Sequence, residues 1–361
     1  MRWSGQTLEA ADASALPGLA LSGLIRSVRA PDFAGVTFHE VAARSALNKV
    51  PEASGMPFRW TVNPVRGCLH ACAYCYARVT HEYLDLDAGR DFETQIVVKT
   101  NVVEVLRAEL GRPSWRREHV ALGTNTDPYQ RAEGRYRLMP GIIDALAASG
   151  TPFSILTKGT LLRRDLPVLQ EASRAVPLGL AVSLAVLDAD LQQQLEPGTP
   201  LPRARLDLIR AVRDAGLPCG VFVAPVLPWL TDSTDHLDAL LGELAAAGAT
   251  GVTVLPLHLR GSVKPWFAQW LGGVRPDLLP SYRRLYGPRS QASGEYKDQL
   301  ARRVAPLLRR HGFAPSAELD AAPREGAYPR GSMAGWEADA PRPPSGPPAV
   351  DLPAVQQPAL F

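Results

Sequence analysis

The chain has 361 residues, 46% of them hydrophobic, and a formal charge of only +3. It can build one large domain with appendages, no apolar run approaches a membrane span, and the N-terminus lacks a signal-peptide pattern, so a cytoplasmic protein without membrane contact is expected. The charge is too weak to indicate nucleic acid by itself, but it is uneven: residues 314–361 hold six acidic and three basic side chains, which leaves +6 on residues 1–313.

Residues 1–55 hold little periodic structure and read as an extension covering the main domain. Within them Leu16 to Val28 reads as a short helix and Phe33 to Phe38 as a short strand. From Phe58 the pattern changes. Phe58 to Asn63 alternates as a strand should, and Pro64 ends it. Asn101 to Gly111 reads as a helix with Asn101 as N-cap, His119 to Gly123 as a buried strand, and Gly141 to Ser149 as a helix stopped by Gly150. Phe153 to Thr157 and Leu178 to Ser183 are further strands. Arg203 to Ala215 is an amphipathic helix with Leu206, Ile209, Ala211 and Val212 on its apolar side. Gly220 to Pro225 is a strand, Asp235 to Ala247 a helix, and Val252 to Leu255 the last strand. Six β/α units imply an α/β fold with a parallel sheet and an outer helical layer. Two more helices are expected, Val263–Leu271 and Glu295–Arg310. The organisation that follows is residues 1–55, 56–275, 276–313 and a tail of 314–361. Ten of the tail's 48 residues are proline and few are large and apolar, so it is expected to be disordered.

The chemistry is concentrated between the first strand and the first helix. Three of the four cysteines, Cys68, Cys72 and Cys75, fall within eight positions, spaced Cys-x3-Cys-x2-Cys. A bend that turns three thiolates to one centre makes a metal or cluster site. Two readings stand. One is a four-iron cluster with one iron left open for an outside ligand. The other is a structural zinc with His70 or His81 as fourth ligand, in a non-catalytic nucleic-acid-binding or clamp-associated protein. A structural disulfide is not expected in a long chain with so few cysteines. Cys219 sits in an apolar run and reads as a small buried hydrophobe.

The spacing, with Tyr74 just before the third cysteine, resembles the signature of the radical S-adenosylmethionine (SAM) superfamily. Together with Asn63-Pro64-x-Arg66-Gly67 before the cysteines, Ala77-Arg78 after them, and Thr126-Asp127-Pro128-Tyr129-Gln130 after the second strand, it resembles a branch termed DNA repair photolyases, related to spore photoproduct lyase. The likeness runs from about Phe58 to Leu271. It implies a partial (β/α)6 barrel with its site at the C-terminal ends of the strands. It also implies a [4Fe–4S] cluster on the three cysteines, SAM as cofactor, and an electron donor such as flavodoxin or ferredoxin.

Further roles follow from the resemblance. Lys158, at the end of the third strand, is placed for the SAM carboxylate, the alternative being a solvated surface lysine. Ser183 and Thr124 are candidates for the ribose or amino group, or are strand-end hydroxyls without cofactor contact. Tyr74 holds the aromatic position near the adenine. Tyr76 resembles a hydrogen-relay tyrosine, with packing around the loop as the alternative. Glu196-Pro197 and the helix from Arg203 match the branch's layout and read as architectural. One departure stands out. The lyases carry a hydrogen-donating cysteine near the end of the second strand, where this chain has Leu122-Gly123-Thr124. Splitting of spore photoproduct is therefore not expected, and the substrate class implied is nucleic acid in general, with a small molecule or peptide as the alternative.

The chain ends Gln357-Pro358-Ala359-Leu360-Phe361, which resembles the peptides that dock bacterial polymerases and repair proteins on the DNA sliding clamp. Leu360 and Phe361 would be the two apolar anchors and the Pro-rich stretch the tether.

Overall fold

The computed structural model describes residues 6–8, 23–54 and 56–313. The tail from 314 and the clamp-like peptide Gln357–Phe361 lie outside the described residues.

Twelve strands are formed among the described residues: β1 (Gln6–Leu8), β2 (Leu24–Arg29), β3 (Thr37–Val41), β4 (Leu47–Lys49), β5 (Trp60–Val62), β6 (Val65–Arg66), β7 (Gln95–Lys99), β8 (Val120–Leu122), β9 (Phe153–Thr157), β10 (Leu178–Ser183), β11 (Gly220–Val226) and β12 (Gly251–Pro256). The helices are α1 (Asp91–Thr94), α2 (Val102–Leu110), α3 (Arg131–Tyr136), α4 (Met139–Ala148), α5 (Leu166–Ala175), α6 (Ala189–Leu195), α7 (Pro202–Asp214), α8 (Thr234–Ala246), α9 (Val263–Val274), α10 (Leu279–Tyr286) and α11 (Gly294–Arg310).

The larger sheet has the order β12-β11-β10-β9-β8-β5-β4. Its six strands from β5 to β12 are all parallel, and β4 closes the edge antiparallel to β5. This is the partial (β/α)6 barrel. All three residues of β8 and all six of β10 are buried, as befits parallel strands covered on both faces. Helices α7 and α8 show how the covering layer is set. Pro202 opens α7, whose Leu206, Ile209 and Val212 are buried, and the Ser233 side chain caps α8 by accepting from the His236 amide at 3.1 Å.

A second sheet, β1-β2-β3-β7-β6, lies beside the barrel. Here the structure departs from the sequence-based expectations. The stretch read as part of a helix ending at Val28 is strand β2 from Leu24 onward, antiparallel to β3. Residues 16–22 of that expected helix lie outside the described residues. The strand expected at Phe33–Phe38 begins only at Thr37, and Phe33 belongs to a 3-10 turn. Strand β7 had no counterpart in the sequence reading. Pairing supplied by distant segments, not local propensity, makes these strands. Asn101 stands at the N-cap position of α2, as expected, but its side chain makes no cap hydrogen bond to the helix. Its amide instead bridges the backbone of Ala43, accepting from the nitrogen at 2.7 Å and donating to the oxygen at 3.0 Å. No helix among the described residues is long and apolar enough to cross a membrane.

Candidate cofactor site

The cysteine loop follows β5 and β6 and rests at the C-terminal ends of the parallel strands. Its backbone is held from three sides. From the β8 end, Thr126 Oγ1 and Gln130 Nε2 both donate to the Gly67 carbonyl, at 2.6 and 3.1 Å, while Gln130 Oε1 accepts from the Leu69 amide at 2.8 Å. From the α6–α7 connection, the Ala73 amide donates to Leu195 O at 2.8 Å and the Gly198 amide to His70 O at 3.1 Å. The approach at Gly198 is so close that a Cβ there would overlap the Leu69 carbonyl oxygen. From within, the Arg78 guanidinium donates to the carbonyls of Cys72 at 3.0 Å, Ala71 at 3.1 Å and Gly89 at 2.6 Å, and pairs with Glu93 at 2.8 Å. It is fully buried and lies against the rings of Phe92 and Trp266. Five donors in a fixed fork suit an arginine to this task.

The loop turns its thiols inward. Cys68 and Cys72 are buried and Cys75 nearly so. Burial pushes the Cys72 thiol well up, and the Glu196 charge adds to it. Burial and then Cys68 push Cys75 up to about 11. The Lys158 cation works the other way on Cys72 and Cys75. Three thiols close enough to repel one another's charge, with Lys158 in reach to favour their thiolates, suit a group that binds thiolates. Among the described residues no group of three or more Cys, His, Asp or Glu is arranged to hold a single metal ion. Of the two histidines considered for zinc, His81 Nε2 bonds Gln95 O at 2.9 Å and His70 Nδ1 lies 3.3 Å from Asp127. Burial opposes charge on His70, but Asp127 and Cys68 outweigh it and raise the ring to about 10.

Beside the thiols lies a buried polar cluster. The Glu196 carboxylate, 1% exposed, accepts from Tyr74 Oη and Arg205 Nη2, and from Thr199 Oγ1 at 3.2 Å, with Lys158 Nζ at 3.5 Å. Lys158 Nζ also donates to Ser183 Oγ and stands 5.7 Å from the centre of the Tyr74 ring. Arg205 Nη1 donates to the Ser183 carbonyl at 3.2 Å. Burial opposes the Glu196 charge, but Arg205 and Lys158 prevail and hold the carboxyl down at about 2. Asp127 fixes the backbone of the lysine, accepting from the Lys158 amide at 2.7 Å and from Thr157 Oγ1.

Of the sequence-chosen residues, the structure thus brings Tyr74, Lys158 and Ser183 together. Thr124 and Tyr76 form a separate pair at the mouth. Tyr76, 45% exposed, donates its hydroxyl to the Thr124 carbonyl, and Thr124 Oγ1 donates to Asn63 Oδ1 at 3.3 Å. Cys219 is fully buried at the start of β11, the end of the strand away from the loop, with its sulfur 3.7 Å from Gly220 O. Sequence reasoning gave no site role to Glu196 or Arg205, and singled out Asp127 only as part of the polar segment after the second strand. Glu196 lies 122 residues from Tyr74, so no local spacing relates them. The signal available was a Glu-Pro-Gly turn just ahead of a helix carrying an arginine on its apolar face.

An open parallel barrel with a three-cysteine loop at the C-terminal ends of its strands defines a class of cluster-binding α/β proteins. The family model of the Radical SAM superfamily matches residues 62–241, and the chain belongs to that superfamily of enzymes. An uncharacterized protein of Mycobacterium tuberculosis is 64% identical over 318 residues, covering 87% of this chain and 94% of its own. An uncharacterized protein of Acidianus two-tailed virus is 30% identical over 210 residues, covering 56% of this chain and 68% of the viral one. Among solved structures, a point mutant of spore photoproduct lyase matches with TM-score 0.59 at 16% identity, over 76% of this chain and 79% of the lyase. A double mutant of that lyase with bound AdoMet and dinucleoside spore photoproduct matches with TM-score 0.57 at 15% identity over the same shares. At that identity the likeness is one of fold.

Proposed function

We propose that this protein holds a [4Fe–4S] cluster on Cys68, Cys72 and Cys75, binds SAM beside it, and abstracts hydrogen from a nucleic acid. The observation that carries the reading is the grouping of three thiols, two of them buried, with a half-buried lysine and a buried serine and tyrosine at one end of a parallel barrel. A reduced cluster held by Cys68, Cys72 and Cys75 would supply the one electron needed for reductive cleavage of SAM at its sulfur–C5′ bond.

The chain's own residues bind and orient. Lys158 takes the SAM carboxylate as a point charge, Ser183 and Thr124 offer hydroxyls to its amino group or ribose, and Tyr74 lies by the adenine. Tyr76, exposed at the mouth, is the candidate for passing hydrogen between substrate and cofactor, with packing around the loop as the alternative. Nucleic acid is supported by the +6 carried on residues 1–313 and by the fold shared with a lyase that binds a dinucleoside. The four cysteines include none at the end of β8, so spore photoproduct itself is not the substrate proposed. An electron donor of the flavodoxin or ferredoxin type is required, and docking of Gln357–Phe361 on a sliding clamp rests on the sequence alone.

The test is anaerobic protein with dithionite, SAM and deuterated DNA or RNA, assayed for 5′-deoxyadenosine. Deoxyadenosine that acquires deuterium supports both radical chemistry and the substrate class. Deoxyadenosine without deuterium, from any nucleic acid offered, removes nucleic acid and favours a small molecule or peptide. No deoxyadenosine from cluster-loaded protein sinks the enzyme reading.

A further inference from the structure

Glu196 is a carboxylate with almost no access to water and four donors arranged around it. Each comes from a different part of the chain. Tyr74 belongs to the cysteine loop, Lys158 to the β9 end, Arg205 to α7, and Thr199 to the turn between. A buried charge persists only where paired and fully bonded, and this one is neutralised from behind by Arg205, itself 1% exposed. That leaves the side facing Lys158 and Tyr74 to act on the cofactor pocket. Lys158 is held between Ser183 Oγ and Glu196, a fixed position for a side chain with four rotatable bonds.

We propose that Glu196 is a positioning residue, whose buried carboxylate ties Tyr74, by the adenine, and Lys158, at the carboxylate, into one rigid receptor for SAM and places a negative charge beside Cys72. The inference rests on the function proposed above. Two consequences share a sign. SAM carries a sulfonium, an ammonium and a carboxylate, a net +1, so removing an anion from its pocket weakens it electrostatically, and freeing Lys158 weakens it again by lost preorganisation. Removing a buried anion beside the thiols also favours the more negative, reduced cofactor.

The experiment compares wild-type holoprotein with Glu196→Gln, Glu196→Asp and Tyr74→Phe. Calorimetry reads SAM affinity, and redox titration followed by electron paramagnetic resonance reads the midpoint potential. Glu196→Gln is expected to weaken SAM about tenfold or more, the scale of one charge-assisted hydrogen bond, and to shift the potential positive. Glu196→Asp, which keeps the charge, restores the potential and recovers part of the affinity. Wild-type affinity and potential in Glu196→Gln, with only a lower melting temperature, overturn the proposal and leave Glu196 architectural. If that variant does not fold, Tyr74→Phe decides. It removes the tether without stranding a charge and is expected to weaken SAM about threefold, a fraction of one hydrogen bond; unchanged affinity there overturns the tether. A wild type that binds no four-iron cluster overturns the proposed function and this inference together, whereas an active wild type matched by Glu196→Gln overturns this inference alone.

Discussion

The two ends of the barrel strands hold cysteines that look alike by burial and differ in everything else. At the C-terminal end, Cys72 sits on a loop whose backbone is bonded from β8, from the α6–α7 turn and from Arg78, with the Lys158 and Glu196 charges in reach. At the N-terminal end, Cys219 is fully enclosed, and burial pushes its thiol up to about 12 against only the weak opposing pull of Arg213. Burial alone makes an inert thiol. A functional one needs neighbours that fix the backbone and set the charge.

The largest break of this comparison is covalent. Cys72→Ala is expected to abolish iron binding and deoxyadenosine formation, whereas Cys219→Ala keeps both and costs about 1 kcal/mol of stability, as small core truncations do. Iron analysis and urea unfolding of the two variants check it.

Backbone fit separates the same two ends. Gly198→Ala drives a methyl into the Leu69 carbonyl and is expected to cost at least about 3 kcal/mol and to loosen the cysteine loop. Gly216→Ala, past the end of α7, meets no atom within 4 Å and carries only the cost of its φ of +75°, about 1 kcal/mol. Equal losses in urea unfolding would remove the claim that the loop is locked by close approach.

Charge gives the next contrast, between a buried ion whose partners outweigh its burial and one whose burial outweighs its partners. The Glu196 carboxyl, held at about 2 against an ordinary 4.5, contributes stability that is full above the ordinary value and is lost as pH falls toward 2. The stability gap between wild type and Glu196→Gln is therefore expected to narrow by about 3 kcal/mol across that window. A gap constant from pH 5 to 2 would deny the ion its partners.

Lys99 is the opposite case. It is 8% exposed, and the Glu109 charge only partly offsets what burial costs its ammonium. Burial, then Arg66, lowers it to about 8 from 10.5. The cost is full below about 8 and vanishes above 10.5. Lys99→Met is expected to stabilise the fold by about 2 kcal/mol at pH 7, with the gain fading as pH rises through that window. Destabilisation at pH 7 would mean that the ammonium has a partner worth more than its burial costs.

The legibility of the sequence divides along the same lines. The parallel strands β9, β10, β11 and β12 were readable because each is a short apolar run between turn signals, and their alternation with helices dictates the fold. Strands β2 and β7 were not, and β3 only at its start, because they exist through pairing across as many as 58 positions, as between Val41 and Lys99. In the site, cysteine spacing announced itself locally. Lys158 and Ser183 were found as strand-end polar groups, and the structure places them in contact. Glu196 and Arg205 could not be found that way. Their meaning lies in a buried carboxylate meeting Tyr74 and Lys158 from distant segments as well as the nearby Arg205, and no periodicity encodes that.

The most direct measurement is the metal and sulfide content of anaerobically reconstituted protein, with Cys72→Ala beside it. The account predicts about four irons and four sulfides per chain, as three thiolates on a cubane cluster require, and their loss in the variant. One zinc per chain, with no sulfide and no iron, would contradict it and restore the structural-metal reading of the same three cysteines.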